Sequence, residues 1–263
     1  MKKKILVVIL SLIFAAGLAV SIYQIASQLQ EYGKGEDAYT DLEAYLELPS
    51  ESEDSPKPKI SPSEPGETVL EELQSQWPTV DFEALAEINP DIVGWITIVD
   101  TEINYPIVQG GDNQYYLKHL FSGEYNSSGC IFLDSRVSAD FADRHSLLYG
   151  HHMKNGTMFS GLDKYKKQEY YDAHSIGLLM TPGGNYEVKF FAGYVASVDN
   201  MAWDVVFGSD AEFEAWLESS RERSCFESDV PVAVTDRILT LSTCSYEFDN
   251  ARFVLLGVLQ KEE

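Results

Sequence analysis

Three side chains in this sequence have the types and spacing for acyl-transfer chemistry. The run TLSTC, residues 240–244, is β-forming, ends on a cysteine and opens into the polar segment SYEFDNA. A strand end holds a backbone still while presenting a side chain to a cleft. As a thiolate, Cys244 would attack a carbonyl carbon; the plain structural alternative is a small buried hydrophobe. In YGHHM, residues 149–153, His151 and His152 follow a glycine at a strand end. Successive residues of an extended segment point to opposite faces, so only one imidazole can share a site with the thiol. Cysteine or acid at metal-ligand spacing does not accompany the pair, which favours acid–base work over metal binding. Arg252 stands eight residues after Cys244 and opens the apolar run RFVLLGVLQ. A charge there needs a partner or a cleft. If SYEFDNA is a tight connection between antiparallel strands, Arg252 lies beside Cys244 and can hold an oxyanion; otherwise it pairs with Glu247 or Asp249.

The elements that must position these groups are mostly strands. Short β-branched or aromatic runs recur at 92–98, 103–108, 129–134, 146–150, 175–180, 186–198, 237–244 and 252–260, most of them bounded by Gly, Asn, Asp or Pro. Eight such runs predict a mainly β fold, a mostly antiparallel barrel or sandwich. Helical spacing in VLEELQSQW and DFEALAEINPDIVGW predicts N-terminal helices, broken at Pro78 and ended near Pro90. One further helix is expected at 209–224, in the connection before TLSTC. Phe213, Trp216 and Leu217 share its inner face, with Ser209-Asp210 as cap. The sequence contains neither an internal repeat nor a glycine-rich phosphate loop.

Composition bounds the function. The chain has 263 residues, 44% hydrophobic, with 19 basic against 42 acidic side chains and a net charge of -23. That charge excludes non-specific nucleic-acid binding, which requires a basic surface. Three cysteines do not make a disulfide scaffold. Residues 1–30 carry only Lys2, Lys3 and Lys4, and Ile5–Tyr23 is uncharged for 19 residues. At ~1.5 Å per residue this run spans a bilayer core of ~30 Å. It is longer than the apolar part of a cleaved signal, and the basic flank predicts a cytoplasmic N-terminus. Residues 33–66, rich in acids, Pro and Ser towards their end, read as a flexible stalk in which Tyr39–Leu48 forms at most a transient helix. The expected organisation is a cytoplasmic tail (1–4), a transmembrane anchor (5–26), an acidic stalk (27–66) and a catalytic domain (67–263) outside the cell.

The ordered set YGHHM, TLSTC and a following-strand arginine resembles the sortases, membrane-anchored cysteine transpeptidases of Gram-positive surfaces. NPDIVGWITI, INYPIVQ, DNQYYL, GCIFLD, YGHHMKNGTMF and the 209–224 helix are similar to class B members, over about residues 80–260. The resemblance implies an eight-stranded sortase-type barrel. It implies His151, which directly follows the glycine, as the acid–base, Cys244 as nucleophile and Arg252 as stabiliser of the oxyanion and the threonine carbonyl. Asn113, Leu117 and Ser242 match groove residues. The implied substrate is a surface protein with an NPxT-like C-terminal sorting signal. It is cleaved after Thr through a thioacyl-enzyme and passed to a peptidoglycan amine, with no cofactor and no metal. Cys130 stands where the family more often has serine and is expected near the barrel wall. Competing readings are a hydrolysis-only cysteine peptidase and a non-catalytic surface-binding module. Papain-like peptidases are disfavoured because His151 precedes Cys244 by 93 residues.

Overall fold

Alternating apolar residues along short β-branched runs bury one face of each strand, and a sheet of such strands must close or stack to cover it. In a computed structural model that describes residues 2–47, 77–199 and 201–262, they close. The eight barrel strands are β3 (Ile92–Thr97), β4 (Asn104–Val108), β5 (Ile131–Leu133), β6 (His145–Tyr149), β7 (Ile176–Thr181), β8 (Gly184–Ser197), β9 (Ile238–Cys244) and β10 (Ala251–Lys261). Their order around the barrel is β10-β8-β7-β3-β4-β5-β6-β9. All eight expected runs are strands, and closure leaves the barrel no unpaired edge. Trp95, Ile96, Phe132, Phe190, Leu241 and Phe253 belong to one buried hydrophobic core.

Two of the pairings are parallel rather than antiparallel, β4 with β5 and β6 with β9. A parallel pair needs a crossover connection. Residues 109–130 supply the first. The second runs through helix α3 (Gln168–Ala173), β7, β8 and helix α4 (Asp210–Glu222). Ser209 caps α4 by accepting a hydrogen bond from Glu212 N at 3.2 Å. Its Phe213, Trp216 and Leu217 pack on Phe191, Val254 and Leu256 outside the barrel. Burying each of these side chains contributes on the order of 2 kcal/mol.

Towards the N-terminus the structure departs from expectation. Helix α1 runs unbroken from Lys2 to Leu42, past the expected end of the anchor at 26 and through residues 27–42 of the segment expected to be stalk. Its apolar part is long enough to cross a bilayer and carries exposed Leu10, Ile13, Phe14 and Leu18. Its last turns are docked on the barrel. Tyr39 and Leu42 are buried, and the Tyr39 ring meets Tyr105 edge-on at 5.3 Å. Glu31 accepts hydrogen bonds from Asn126 Nδ2 at its carbonyl and from Ser127 N at its carboxylate. Apolar burial at Tyr39 and Leu42 outweighs the polarity of the surrounding acids, which had marked the segment as solvated. Strand β1 (Leu46–Glu47) follows and pairs antiparallel with β2 (Thr79–Val80). Helix α2 (Phe82–Ile88) is capped by Asp81, whose carboxylate accepts from Ala84 N at 2.9 Å. The remainder of the expected stalk, 48–66, and the first part of the expected N-terminal helices, 69–76, lie outside the described residues.

Candidate active site

The parallel pairing of β6 and β9 explains how a histidine and a cysteine distant in sequence meet. Tyr149 stands opposite Ser242 in that pair, and Gly150 N donates to Ser242 O at 3.1 Å. Both strands run the same way. His151 and Cys244 therefore lie equally far beyond one paired position, at the same barrel end. Gly150 lets Ile131 and Phe159 pack directly on the backbone just before His151, since a Cβ there would meet Ile131 Cδ1 at 2.5 Å and Phe159 Cδ2 at 2.6 Å. Antiparallel β10 then returns alongside β9 and places Arg252 directly opposite Cys244. Cross-strand partners hold their Cβ atoms about 5 Å apart.

All three groups line one cleft of about 450 Å³, together with Asn113, Leu117 and Ser242. Its other walls are Phe132, Tyr149, Val198, Trp203 and Thr243. Nothing in the sequence marks these residues as belonging to the site; Phe132 and Tyr149 look there like ordinary strand aromatics. Cys244 and His151 are half-buried, shielded yet reachable. His151 Nε2 lies 2.7 Å from Leu117 O. A carbonyl only accepts, so Nε2 carries the hydrogen and the neutral ring keeps its lone pair on Nδ1. Leu117 thus fixes the tautomer of the acid–base candidate as well as lining the cleft.

The two histidines are separated as the alternation rule requires. His152 turns to Asp163, with Nε2 to Oδ2 at 3.0 Å, and its ring meets Tyr246 edge-on. The same Asp163 accepts from Lys166 Nζ at 2.8 Å, and Lys166 also reaches Ser245 and Glu247 just after Cys244. Lys166 holds Glu247, pulling its carboxyl down to about 2, so the first of the two partners suggested for Arg252, Glu247 and Asp249, is engaged elsewhere. Arg252 Nη1 donates to Ala251 O at 2.9 Å, and its head lines the cleft.

Behind the cleft wall lies Asp134, fully buried at the end of β5. Burial by itself raises a carboxyl, but Arg136 outweighs it and brings Asp134 down to about 2. Arg136 donates to both carboxylate oxygens, from Nε at 2.8 Å and Nη2 at 2.7 Å. Tyr149 Oη donates to Oδ2 at 2.8 Å.

Cys130 is buried just before β5. Burial lifts its thiol to about 12, and Tyr39 Oη lies 3.2 Å from its sulfur. The expected place near the wall is where it sits. Cys225 is exposed, and all three cysteines are free thiols.

The pattern that describes the sortase domain matches residues 96–260. Sortase B of Listeria monocytogenes is 41% identical over 181 residues, which is 68% of this chain and 74% of that protein. The Staphylococcus aureus sortase B–substrate complex superposes with a TM-score of 0.67 at 34% identity, covering 75% of this chain and 92% of that one. A sortase B structure from Bacillus anthracis reaches a TM-score of 0.71 at 32% identity, covering 89% of this chain and all of that one.

Proposed function

This chain belongs to the sortase family, on its class B branch, and from that premise we propose that Cys244, His151 and Arg252 carry out transpeptidation on an NPxT-like sorting signal. As a sortase it is a cysteine transpeptidase. The observation that best supports the residue roles is the register: β6–β9 and β9–β10 bring imidazole, thiol and guanidinium to one cleft.

In the first half-reaction the Cys244 thiolate attacks the carbonyl carbon of the signal threonine. Charge gathers on the carbonyl oxygen, where the Arg252 guanidinium donates hydrogen bonds. The intermediate collapses as the C–N bond breaks. His151, protonated on Nδ1, gives that proton to the leaving amine. A thioester to Cys244 remains. In the second half an amine enters, His151 Nδ1 takes its proton, and the new amide forms as sulfur leaves. The Leu117 carbonyl holds the ring by Nε2 throughout, so Nδ1 does the proton transfer in both directions. Asn113, Leu117 and Ser242 bind the signal along the cleft.

Helix α1 serves as a single-pass anchor, with Lys2, Lys3 and Lys4 on the cytoplasmic side and the barrel outside. The amine donor is then a peptidoglycan precursor or cross-bridge, and the acyl donor is an exported surface protein.

The test is the full chain in detergent with a fluorogenic NPxT peptide library and a short amine acceptor. The expected products are cleavage after Thr and, with amine present, a new amide. Cys244→Ala should abolish both while leaving the thermal midpoint nearly unchanged, because the thiol stands at a strand end. Free acid alone at saturating amine would replace transfer with hydrolysis. Unchanged cleavage by Cys244→Ala would remove the mechanism.

A further inference from the structure

Two elements that line the cleft are tied to each other through an ion pair, buried at Asp134 and half-exposed at Arg136, that no catalytic step uses. On one side Tyr149 is fixed by its phenol to Asp134 Oδ2 at 2.8 Å. On the other side stands the short turn Met201–Trp203, which carries Trp203 into the cleft. Arg136 spans the gap. Its Nη2 donates to Asp134 Oδ2 at 2.7 Å and also to Trp203 O at 3.1 Å. The carboxylate and the far wall therefore share one guanidinium edge.

Neighbouring bonds make this assembly stiff. Asp134 N donates to Leu147 O at 2.9 Å, and Gln109 Nε2 donates to Asp134 O at 2.9 Å. Ser135 N donates to Asn113 Oδ1 at 2.8 Å, so a third cleft residue hangs on the same loop. The far wall is pinned again from behind, where the His145 ring lies 2.7 Å from Asp204 O and Trp216 Nε1 donates to Met201 O at 3.0 Å. A fully buried carboxylate with four donors on it, Arg136 N to Oδ1 at 2.9 Å being the fourth, is costly to assemble unless its geometry is complete. A planar guanidinium can serve the carboxylate and a carbonyl together; an ammonium lacks that fork.

We propose that the Asp134–Arg136 pair is a strut that sets the width of the sorting-signal cleft, acting through Tyr149 and the Trp203 carbonyl. Asp134 and Arg136 are positioning residues: they do not line the cleft and take no part in proton or acyl transfer. The proposal rests on the sorting-signal reading above. It places specificity for the body of the signal in residues behind the walls as well as on them.

The experiment compares Asp134→Asn and Arg136→Lys with the parent full-length enzyme, using the same NPxT peptide. The conservative Arg136→Lys change keeps the charge at a partly exposed position, so it guards against loss of folding in the buried variant. Each variant should raise KM for the peptide by about tenfold, the size of one lost charge-assisted hydrogen bond, with kcat within about twofold. KM for the amine acceptor and the rate of Cys244 alkylation by iodoacetamide should stay within about twofold, because thiol and imidazole are untouched. A lowered thermal midpoint with unchanged peptide KM in both variants would make the pair a fold support and overturn the strut. So would alkylation slowed in step with kcat, which would place its effect on the nucleophile. Failure of the parent enzyme to turn over any NPxT peptide would overturn the sorting-signal reading, and the strut's role with it.

Discussion

Arg252 is the direct cross-strand partner of Cys244, on a strand whose next residue, Phe253, is fully buried. The guanidinium thus approaches the thiol from a fixed backbone. Arg252→Lys retains the charge and loses the planar donor fork. It should lower kcat/KM for the sorting peptide by roughly ten- to a hundredfold, somewhat less than deleting an oxyanion donor outright. Steady-state kinetics with a fluorogenic peptide read this, and an effect below twofold would remove Arg252 from the transition state.

Gly129 links the docked end of α1 to the histidine, accepting from Tyr39 on one side and packing on the Leu117 carbonyl on the other. Its φ is +57°, and a Cβ there would stand 2.4 Å from Tyr116 O and 2.9 Å from Leu117 O. Leu117 O is also the acceptor for His151. Gly129→Ala should therefore cost activity and stability together, with kcat down by about tenfold and stability reduced by about 1–3 kcal/mol from backbone strain. Kinetics and a denaturant titration check the two halves separately.

Cys130 reports on whether α1 is seated. Tyr39 Oη donates to Gly129 O and lies against the Cys130 sulfur, and the thiol is buried and raised to about 12. In the folded chain Cys130 should resist alkylation at pH 8 while exposed Cys225 reacts. Tyr39→Ala should speed Cys130 labelling by at least about tenfold, since exposure and thiolate fraction both rise. Peptide mapping by mass spectrometry resolves the two sites. Equal protection in the variant would show that Tyr39 does not hold the helix down.

His145 makes stability fall in mild acid. The ring is fully buried against Trp216, between Asp204 O and Thr240 Oγ1 at 2.8 Å, and burial lowers it from 6.5 to about 4. The unfolded chain then binds the proton first. Stability is whole above pH 6.5 and is lost as pH falls from 6.5 towards 4. The loss is on the order of 3 kcal/mol. Asp134, lowered from 3.8 to about 2, adds a second loss below pH 4. Thermal midpoints from pH 4 to 8 for the parent and His145→Asn test this; the variant should be flatter between pH 4 and 6.5.

The strands, and the candidate groups that meet at the cleft, were legible because their signals are local. Cys244, His151 and Arg252 sit in short motifs at strand ends, and every barrel strand shows β-branched or aromatic runs between turn residues. The parallel β4–β5 and β6–β9 pairs were not legible, since pairing partners are chosen by tertiary closure and not by neighbouring residues. Phe132 and Tyr149 read as strand aromatics because sequence does not say which face of a barrel opens. The seated end of α1 was hidden by acids at 31, 36, 37, 41 and 43, which dominate composition. A signal was present nonetheless: Tyr32, Tyr39 and Leu42 recur at helical spacing, one stripe sufficient to bury.

The pairing of Leu46 with Val80 and of Glu47 with Thr79 changes what the acidic stretch between them is for. The strands that flank it are fastened side by side at the catalytic body, so under the proposed anchoring mechanical load from a bilayer would pass down α1 into the barrel. Under that proposal, lengthening or shortening the chain between Glu47 and Thr79 would leave the barrel's reach as it is, whereas breaking α1 between Tyr23 and Glu31 would set the barrel swinging.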